Sequence, residues 1–311
     1  GHAGAVQQFG TEVLWAVEDC RGLSGRLERD LVAAGQRVVR VPPRLMAGQR
    51  REVRAPGKSD PIDALAVARV GLREPDLPVV AHDEVSREVK LLTDRRDDLV
   101  KQRTGTINRF LGRVHEIEPG WSPPAGSMDR PLWQRKLADR LADVPGIVAE
   151  LARDELVDIT TVTVTINALE RRISALVAPV VPTLLAMPGV GVLTAAKIVA
   201  ETAGITRFKS GAAFARHAGI APIPVWSGNT AGRVRLSRGG NRQLNAAIHR
   251  IAFTQIRLEG PGKTYYEKKK TEGKTSREAL RCLKRHLIGV VYRHLLTDHK
   301  TAAQTVLPTA A

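Results

Sequence analysis

Between Ile159 and Leu176 the apolar residues Ile159, Val162, Ile166, Leu169, Ile173 and Leu176 alternate at spacings of three and four. That repeat puts them on one narrow stripe of an α-helix, the a/d seam of a coiled coil, and such a stripe needs a second helix to cover it. A candidate lies upstream. From Glu84 to Glu118 the residues Val85, Val89, Leu92, Leu99, Ile107, Phe110 and Val114 recur with helical spacing, interrupted by Arg96 and Arg103. The connector "EPGWSPPAG" (118–126) is rich in proline and glycine, which break helices. The expectation is a helical coiled-coil region over 81–181, forming an antiparallel arm or a dimerising one.

The flanking regions read differently. "EVLWAVED" (12–19) is an apolar run of strand length, suited to a strand buried on both faces. "GLSGRLERDLVAAG" (22–35) has a helical period and a terminal glycine, and "QRVVRVPP" (36–43) is a second β-rich run stopped by prolines. This is a βαβ unit, which normally belongs to a mostly parallel sheet. Residues 1–80 are therefore expected to be an α/β domain. Residues 182–311 open with "LLAMPGVGVLTAAKIVAE" (184–201), a short helix, a glycine-rich hairpin and a second helix, and close with basic helices. Two GKT stretches, 262–264 and 273–275, are not P-loops: the first glycine of that motif would fall on Arg257 or Lys268, and neither follows a strand.

Charge narrows the partners. The formal net charge is +16, and the stretch from Arg233 to Lys300 alone holds 17 Lys and Arg against 5 Asp and Glu. An excess of that size calls for a polyanion, nucleic acid or an anionic membrane surface. No apolar run is long enough to span a bilayer and no signal peptide is visible, so a cytoplasmic protein with no membrane partner is expected. With only Cys20 and Cys282 there is neither a disulfide framework nor a CxxC site, and the eight histidines lack zinc-ligand spacing.

Three places could carry chemistry. In "GKSDPIDALAVAR" (57–69), Asp60 suits a helix N-cap, Pro61 the first helical position and Asp63 the first turn. The same geometry points both carboxylates out of one helix end. Glu18, at the C-terminal end of the first strand, could join them in a site for Mg²⁺, which takes hard oxygen ligands. Asp19 points to the opposite face of a regular strand and is the weaker candidate. Capping and metal binding both satisfy these residues. The hairpin "PGVG" (188–191), with Gly189 and Gly191, either grips a phosphate through backbone N–H groups or is an ordinary αα turn. Ser227 lies among Gly228, Gly232, Gly239 and Gly240 and near Arg233, Arg235, Arg238 and Arg242. A serine beside guanidiniums can attack a phosphodiester, although a serine in a glycine loop is more often a turn residue.

Taken together these blocks resemble the DEDD-type transposases of insertion sequences that move with a structured noncoding guide RNA. "WAVEDCRG" resembles the strand bearing that family's glutamate and "GKSDPIDALAVAR" its aspartate pair. "MPGVGVLTAAKIVAE" is similar to the start of its C-terminal transposase domain, "PIPVWSGNTAGRVRLSRGGNRQLNAAIHRIA" to its serine loop and following helix, and "GKTSREALRCLKRHL" to its closing basic helix. The likeness covers nearly the whole chain. It implies a ribonuclease H-like first domain of the Holliday-junction-resolvase type, with Glu18, Asp60 and Asp63 as Mg²⁺ ligands and Ser227 as the nucleophile that forms a transient phosphoserine bond. It implies a helix-hairpin-helix in the C-terminal domain, and Gly189, Gly191, Arg233, Arg235, Arg238, Arg242, Lys284 and Arg285 as residues facing DNA or RNA. It implies a dimer or tetramer gripping double-stranded DNA and the RNA, with carboxylates and serine drawn from different subunits. The family's first aspartate lies on an earlier strand for which no segment precedes Gly1, so the expectation is an N-terminally truncated member with a trio in place of a quartet, and reduced activity. Trp226 stands where members often have a second serine. Two other functions remain open on the residues, a non-catalytic nucleic-acid-binding protein and a Mg²⁺-dependent junction-resolving nuclease that does not use serine.

Overall fold

A computed structural model of the chain describes residues 13–18, 25–41, 45–46, 59–74, 77, 79–80, 84–225, 227–230, 234–236 and 240–306. Among these the protein is mostly helical with a small sheet, and it divides into two compact units, one of Gly1–Arg87 with Val180–Ala311 and one of Glu88–Pro179. No described helix is long and apolar enough to cross a membrane.

The N-terminal segment is the expected βαβ unit. β1 (Leu14–Glu18) is followed by α1 (Gly25–Ala33) and β2 (Arg37–Val41), and the strands pair in parallel from Leu14 beside Arg37 to Glu18 beside Val41. Side chains alternate across a strand, so the two faces differ. Trp15 and Val17 pack with Leu31, Val38 and Val80 on the face that carries α1. On that face Arg40 of β2 forms an ion pair with the buried Glu28 of α1 at 2.6 Å. Ala16 packs on the other face with Val41, Met46, Val67 and Val70, under α2 (Asp60–Arg73). A Cβ on Gly71 would come within 2.9 Å of the Ala16 Cβ, so α2 can lie this close only without a side chain there.

The start of α2 differs by one residue from the sequence expectation. Ser59, in extended conformation, occupies the N-cap and its carbonyl accepts the Asp63 N–H at 3.0 Å. Ser59 makes no side-chain cap bond, Asp60 is the first helical residue, and Pro61 follows it. Proline fits either of the first two positions, since neither N–H has a partner within the helix, so the dipeptide alone left the register open. Asp63 keeps its place in the first turn, where a negative charge favours the helix dipole.

The unit Glu88–Pro179 holds the two long helices, α3 (Glu84–Ile117) and α5 (Ile147–Val177). They run antiparallel, because partners rise along one as they fall along the other: Arg96 pairs with Glu170 at 2.8 Å, Arg103 Nη1 donates to Thr163 at 3.2 Å, and Arg113 pairs with Glu155 at 2.9 Å. The arginines that interrupt the apolar repeat of α3 therefore reach across to α5. Half-exposed pairs of this kind contribute at most about 1 kcal/mol each. Most of the cohesion comes from the seam, where Ile159, Ile166 and Ile173 are fully buried. Val162, Leu169 and Leu176 on the same stripe are only half-buried. One element was not foreseen, α4 (Pro131–Leu141), which sends Leu137 and Leu141 into a cluster with Phe110, Val114, Met128, Ala152, Leu156 and Ile159. It lies just beyond the proline-rich connector, and its apolar repeat is only three turns long.

The C-terminal segment is built around α7 (Val192–Thr202), buried at every position from Ala195 to Thr202. A helix buried all round, even at Lys197 and Glu201, lies in the middle of a packed group. α6 (Pro182–Leu185) precedes it across the hairpin, and α8 (Gly211–His217), α9 (Arg242–Gln255), α10 (Pro261–Thr271) and α11 (Ser276–Val306) complete the group. α11 packs against α6, α8, α9 and α10. Near its end Asp298, almost fully buried, accepts the backbone N–H groups of Thr183 (2.9 Å) and Leu184 (3.2 Å), which open α6. Asp298→Ala strands those donors away from water. The urea midpoint should fall by an amount worth about 1–3 kcal/mol, and Asp298→Asn, which keeps one acceptor, should recover part of it.

Candidate active site

Glu18 ends β1 two residues beyond Ala16 and so lies on the side of the sheet that α2 covers. α2 opens with Asp60, which is exposed, and carries Asp63 in its first turn with Oδ1 shielded from solvent. The three carboxylates thus share one side of the sheet. Among the described residues no group of three or more acidic, histidine or cysteine side chains is gathered closely enough for a metal ion. Asp19 lies outside the described residues. In donor chemistry, although not in a closed geometry, the trio fits Mg²⁺.

Ser227 sits in the C-terminal segment at the turn of a β-hairpin. β3 (Pro222–Pro224) pairs antiparallel with β4 (Val234–Leu236), matching Pro222 to Leu236 and Pro224 to Val234. The serine follows β3 closely, is exposed, and precedes a short 3-10 turn, Gly228–Thr230. Arg235 takes the β4 position opposite Ile223. Arg233, Arg238 and Trp226 lie outside the described residues.

The base of this loop is closed by a polar network. A Cβ on Gly240 would sit 2.1 Å from the Gly219 nitrogen and 2.6 Å from the Ala218 carbonyl carbon, so the incoming and outgoing backbones touch. Asn241, the N-cap of α9, accepts the Leu244 N–H at 3.0 Å with its side chain. Its own N–H donates to the His217 carbonyl at 2.7 Å, and its Nδ2 donates to the Glu201 carboxylate at 2.5 Å. One turn along α9, Asn245 Nδ2 donates to the carbonyls of Ala218 (2.9 Å) and Gly219 (3.4 Å), and Lys284 Nζ donates to Asn245 Oδ1 at 2.6 Å. Glu201, Asn241 and Asn245 were not singled out from sequence. The one local signal was an asparagine placed ahead of an apolar helical repeat. Lys284, assigned a nucleic-acid contact by resemblance, directs its ammonium into this network, and burial followed by the charge of Arg281 lowers its pKa.

His217 belongs to the same region. Its pKa falls from 6.5 to about 4, first through burial and then through the Arg207 guanidinium, whose Nη2 lies 3.4 Å from Nε2; a hydrogen bond to the Glu201 backbone and the Glu201 charge act the other way. Because the folded value lies below the unfolded one, the unfolded chain takes up the proton first as pH falls. The stabilisation is complete above pH 6.5 and is lost progressively towards pH 4. The loss amounts to about 3 kcal/mol at most. Urea unfolding followed across that range should show the fall, and His217→Gln should flatten it.

The hairpin after α6 is held from behind. Gly189 adopts φ +83, and a Cβ there would meet the Ile251 carbonyl oxygen at 3.3 Å. Gln255 Nε2 donates to the Pro188 carbonyl at 2.7 Å. Gly191 is the exposed N-cap of α7, in extended conformation with open space on its Cα. Arg242 is exposed on the first turn of α9, and Arg285 is half-buried on α11. The α9 sequence has no acidic residue.

Comparison with known proteins covers both ends of the chain. A model of the transposase IS116/IS110/IS902 family matches residues 181–267, and a DEDD-type transposase model matches residues 2–119. The insertion element IS900 uncharacterized 42 kDa protein of Mycobacterium paratuberculosis is 30% identical, over 93% of this chain and 84% of the relative. The insertion element IS116 uncharacterized 44.8 kDa protein of Streptomyces clavuligerus is 29% identical over 96% and 86%. A probable family 20 transposase of Pseudomonas aeruginosa is 26% identical over 64% and 60%.

Proposed function

Since the chain belongs to the IS116/IS110/IS902 family of transposases, we propose that it cuts and rejoins DNA through Ser227, assisted by Mg²⁺ at Glu18, Asp60 and Asp63 and guided by a structured RNA. The observation that carries the serine assignment is an exposed serine on a hairpin whose base is clamped by Gly240, Asn241 and Asn245. A nucleophile needs access to a bulky substrate together with a fixed origin, and this loop provides both.

The chemistry balances without an energy source. Ser227 Oγ attacks a backbone phosphorus, a P–Oγ bond forms as a phosphodiester P–O bond breaks, and the hydroxyl proton leaves while the departing oxygen takes one up. Attack by the free hydroxyl of another DNA end reverses the exchange and joins the new partners. The number of phosphodiester bonds is conserved. Bound Mg²⁺ would supply a Lewis acid at the scissile phosphate. Exposed Arg242 and the basic surface of the C-terminal segment draw the polyanion in, and each phosphate neutralised makes binding more sensitive to salt.

The α/β segment is proposed to be ribonuclease H-like, and the α6–α7 turn with Gly189 and Gly191 to be a helix-hairpin-helix holding duplex backbone. Arg233, Arg235, Arg238 and Arg285 extend that contact to DNA and RNA. A homo-oligomer, dimer or tetramer, is supported by Val157 and Val164, which are exposed on the side of α5 opposite its buried seam. Incubation with duplex DNA and Mg²⁺ followed by denaturing electrophoresis tests the reading. A protein–DNA adduct that requires the metal is expected. Cleavage with no adduct would favour a plain Mg²⁺ nuclease, and neither would leave a binding protein.

A further inference from the structure

Along the exposed side of α9, past Asn245, lies a feature that the serine and the carboxylates do not use. His249, Arg250, Phe253 and Arg257 are all exposed at spacings of three and four. The rings of His249 and Phe253 stack with centroids 6.3 Å apart and 26° between planes, and the Arg257 guanidinium lies 5.8 Å from the Phe253 centroid. Phe253 is 49% exposed, although α9 buries Leu244, Ile248 and Ile251 on its inner side. A large ring left half in water beside a second exposed ring, with a guanidinium nearby, offers a π-surface that can hold another flat group. His249 lies within electrostatic reach of Lys284, whose ammonium bonds Asn245. The stripe is therefore continuous with the clamp at the base of the Ser227 loop.

We propose that this side of α9 and the turn that follows it, from Asn245 to Arg257, is a stacking track for the unpaired bases of the DNA strand cut at Ser227. The proposal rests on the serine reading. The span is about 18 Å, room for roughly five nucleotides stacked at about 3.4 Å or three splayed at about 6 Å. Stacking suits single strands because every base has a π-face, whereas paired bases are closed to it. The absence of any acidic residue from α9, with Arg242, Arg250 and Arg257 exposed, matches the phosphates of the same strand. The commitment is to DNA because the track leads away from the loop that would hold the cut strand.

The test uses the full chain and a short single-stranded DNA carrying 2-aminopurine, whose fluorescence falls when the base stacks. Wild type should quench the probe on binding. Phe253→Leu should abolish quenching and weaken single-strand binding by about ten- to a hundredfold, with duplex affinity unchanged, and Phe253→Trp should restore both. Unchanged duplex affinity also shows that the variant is folded. Quenching that survives Phe253→Leu, or an equal loss on duplex DNA, would overturn the proposal. So would Phe253-dependent preference for an RNA of the same sequence, since the occupant would then be RNA. The readout needs no cleavage, so its failure is separate from that of the serine assignment, which adduct formation decides.

Discussion

Ser227→Ala abolishes the covalent protein–DNA adduct and leaves DNA affinity within error of wild type. The adduct is a P–Oγ bond, and an alanine has no oxygen to form it, so the signal should drop by at least about a thousandfold, to background. Affinity survives because the hydroxyl is one exposed polar group on a surface whose attraction for DNA comes from Lys and Arg. The pair of measurements, adduct on a denaturing gel and binding by titration, separates this outcome from misfolding, which would reduce both. An adduct of undiminished yield from Ser227→Ala would place the nucleophile elsewhere. Metal-dependent cleavage continuing without an adduct would mean that a water, not a serine, attacks.

Gly240→Ala comes second in size and acts at a distance from the chemistry. The added methyl would sit 2.1 Å from the Gly219 nitrogen and 2.2 Å from its Cα, well inside contact distance and against backbone that has no rotamer to turn aside. The two ends of the loop must separate. That strains the Asn241 N–H bond to His217 and the Asn245 bonds to Ala218 and Gly219, which together set the direction in which the hairpin leaves the helical group. A displacement of about 1 Å at a nucleophile costs on the order of a hundredfold in rate. The rate of adduct formation should therefore fall by about that factor or more. Gly289→Ala, on α11 with open space around its Cα, is the matched control and should react as wild type. If Gly240→Ala formed adduct at the wild-type rate, the clamp would not be what positions Ser227.

Much of the architecture was legible in order along the chain. The short apolar and β-rich runs that became β1 and β2, the helix opening near Asp60 and the three-four repeat from Ile159 to Leu176 are local patterns, and each was matched by an element. Two misreadings were local as well. Ser59 and not Asp60 occupies the N-cap position of α2, because Ser-Asp-Pro is compatible with either register. α4 lies beyond the 118–126 connector and was given no element, its apolar repeat being only three turns long.

The candidate site divides along a different line. Ser227 and the Asp60/Asp63 pair stood out as residue types in unusual surroundings, and Glu18 stood out by its place at a strand end. The residues that hold the serine loop did not. Asn241 bonds Glu201 forty positions earlier, Lys284 bonds Asn245 thirty-nine positions earlier, and Gly240 abuts Gly219 from the far side of the hairpin. Each is an ordinary residue in an ordinary local setting, and its significance lies in which distant backbone it meets. Most of the elements could be read along the chain, because helical and strand periodicity, capping and turn chemistry act over a few residues. That Lys284 turns inward, that Arg96 and Arg103 reach across a helix pair, and that a glycine closes the serine loop came only with the packed fold. Those outcomes depend on side chains far apart in the chain arriving within about 3 Å of one another, a distance set by packing and encoded in no short stretch of residues.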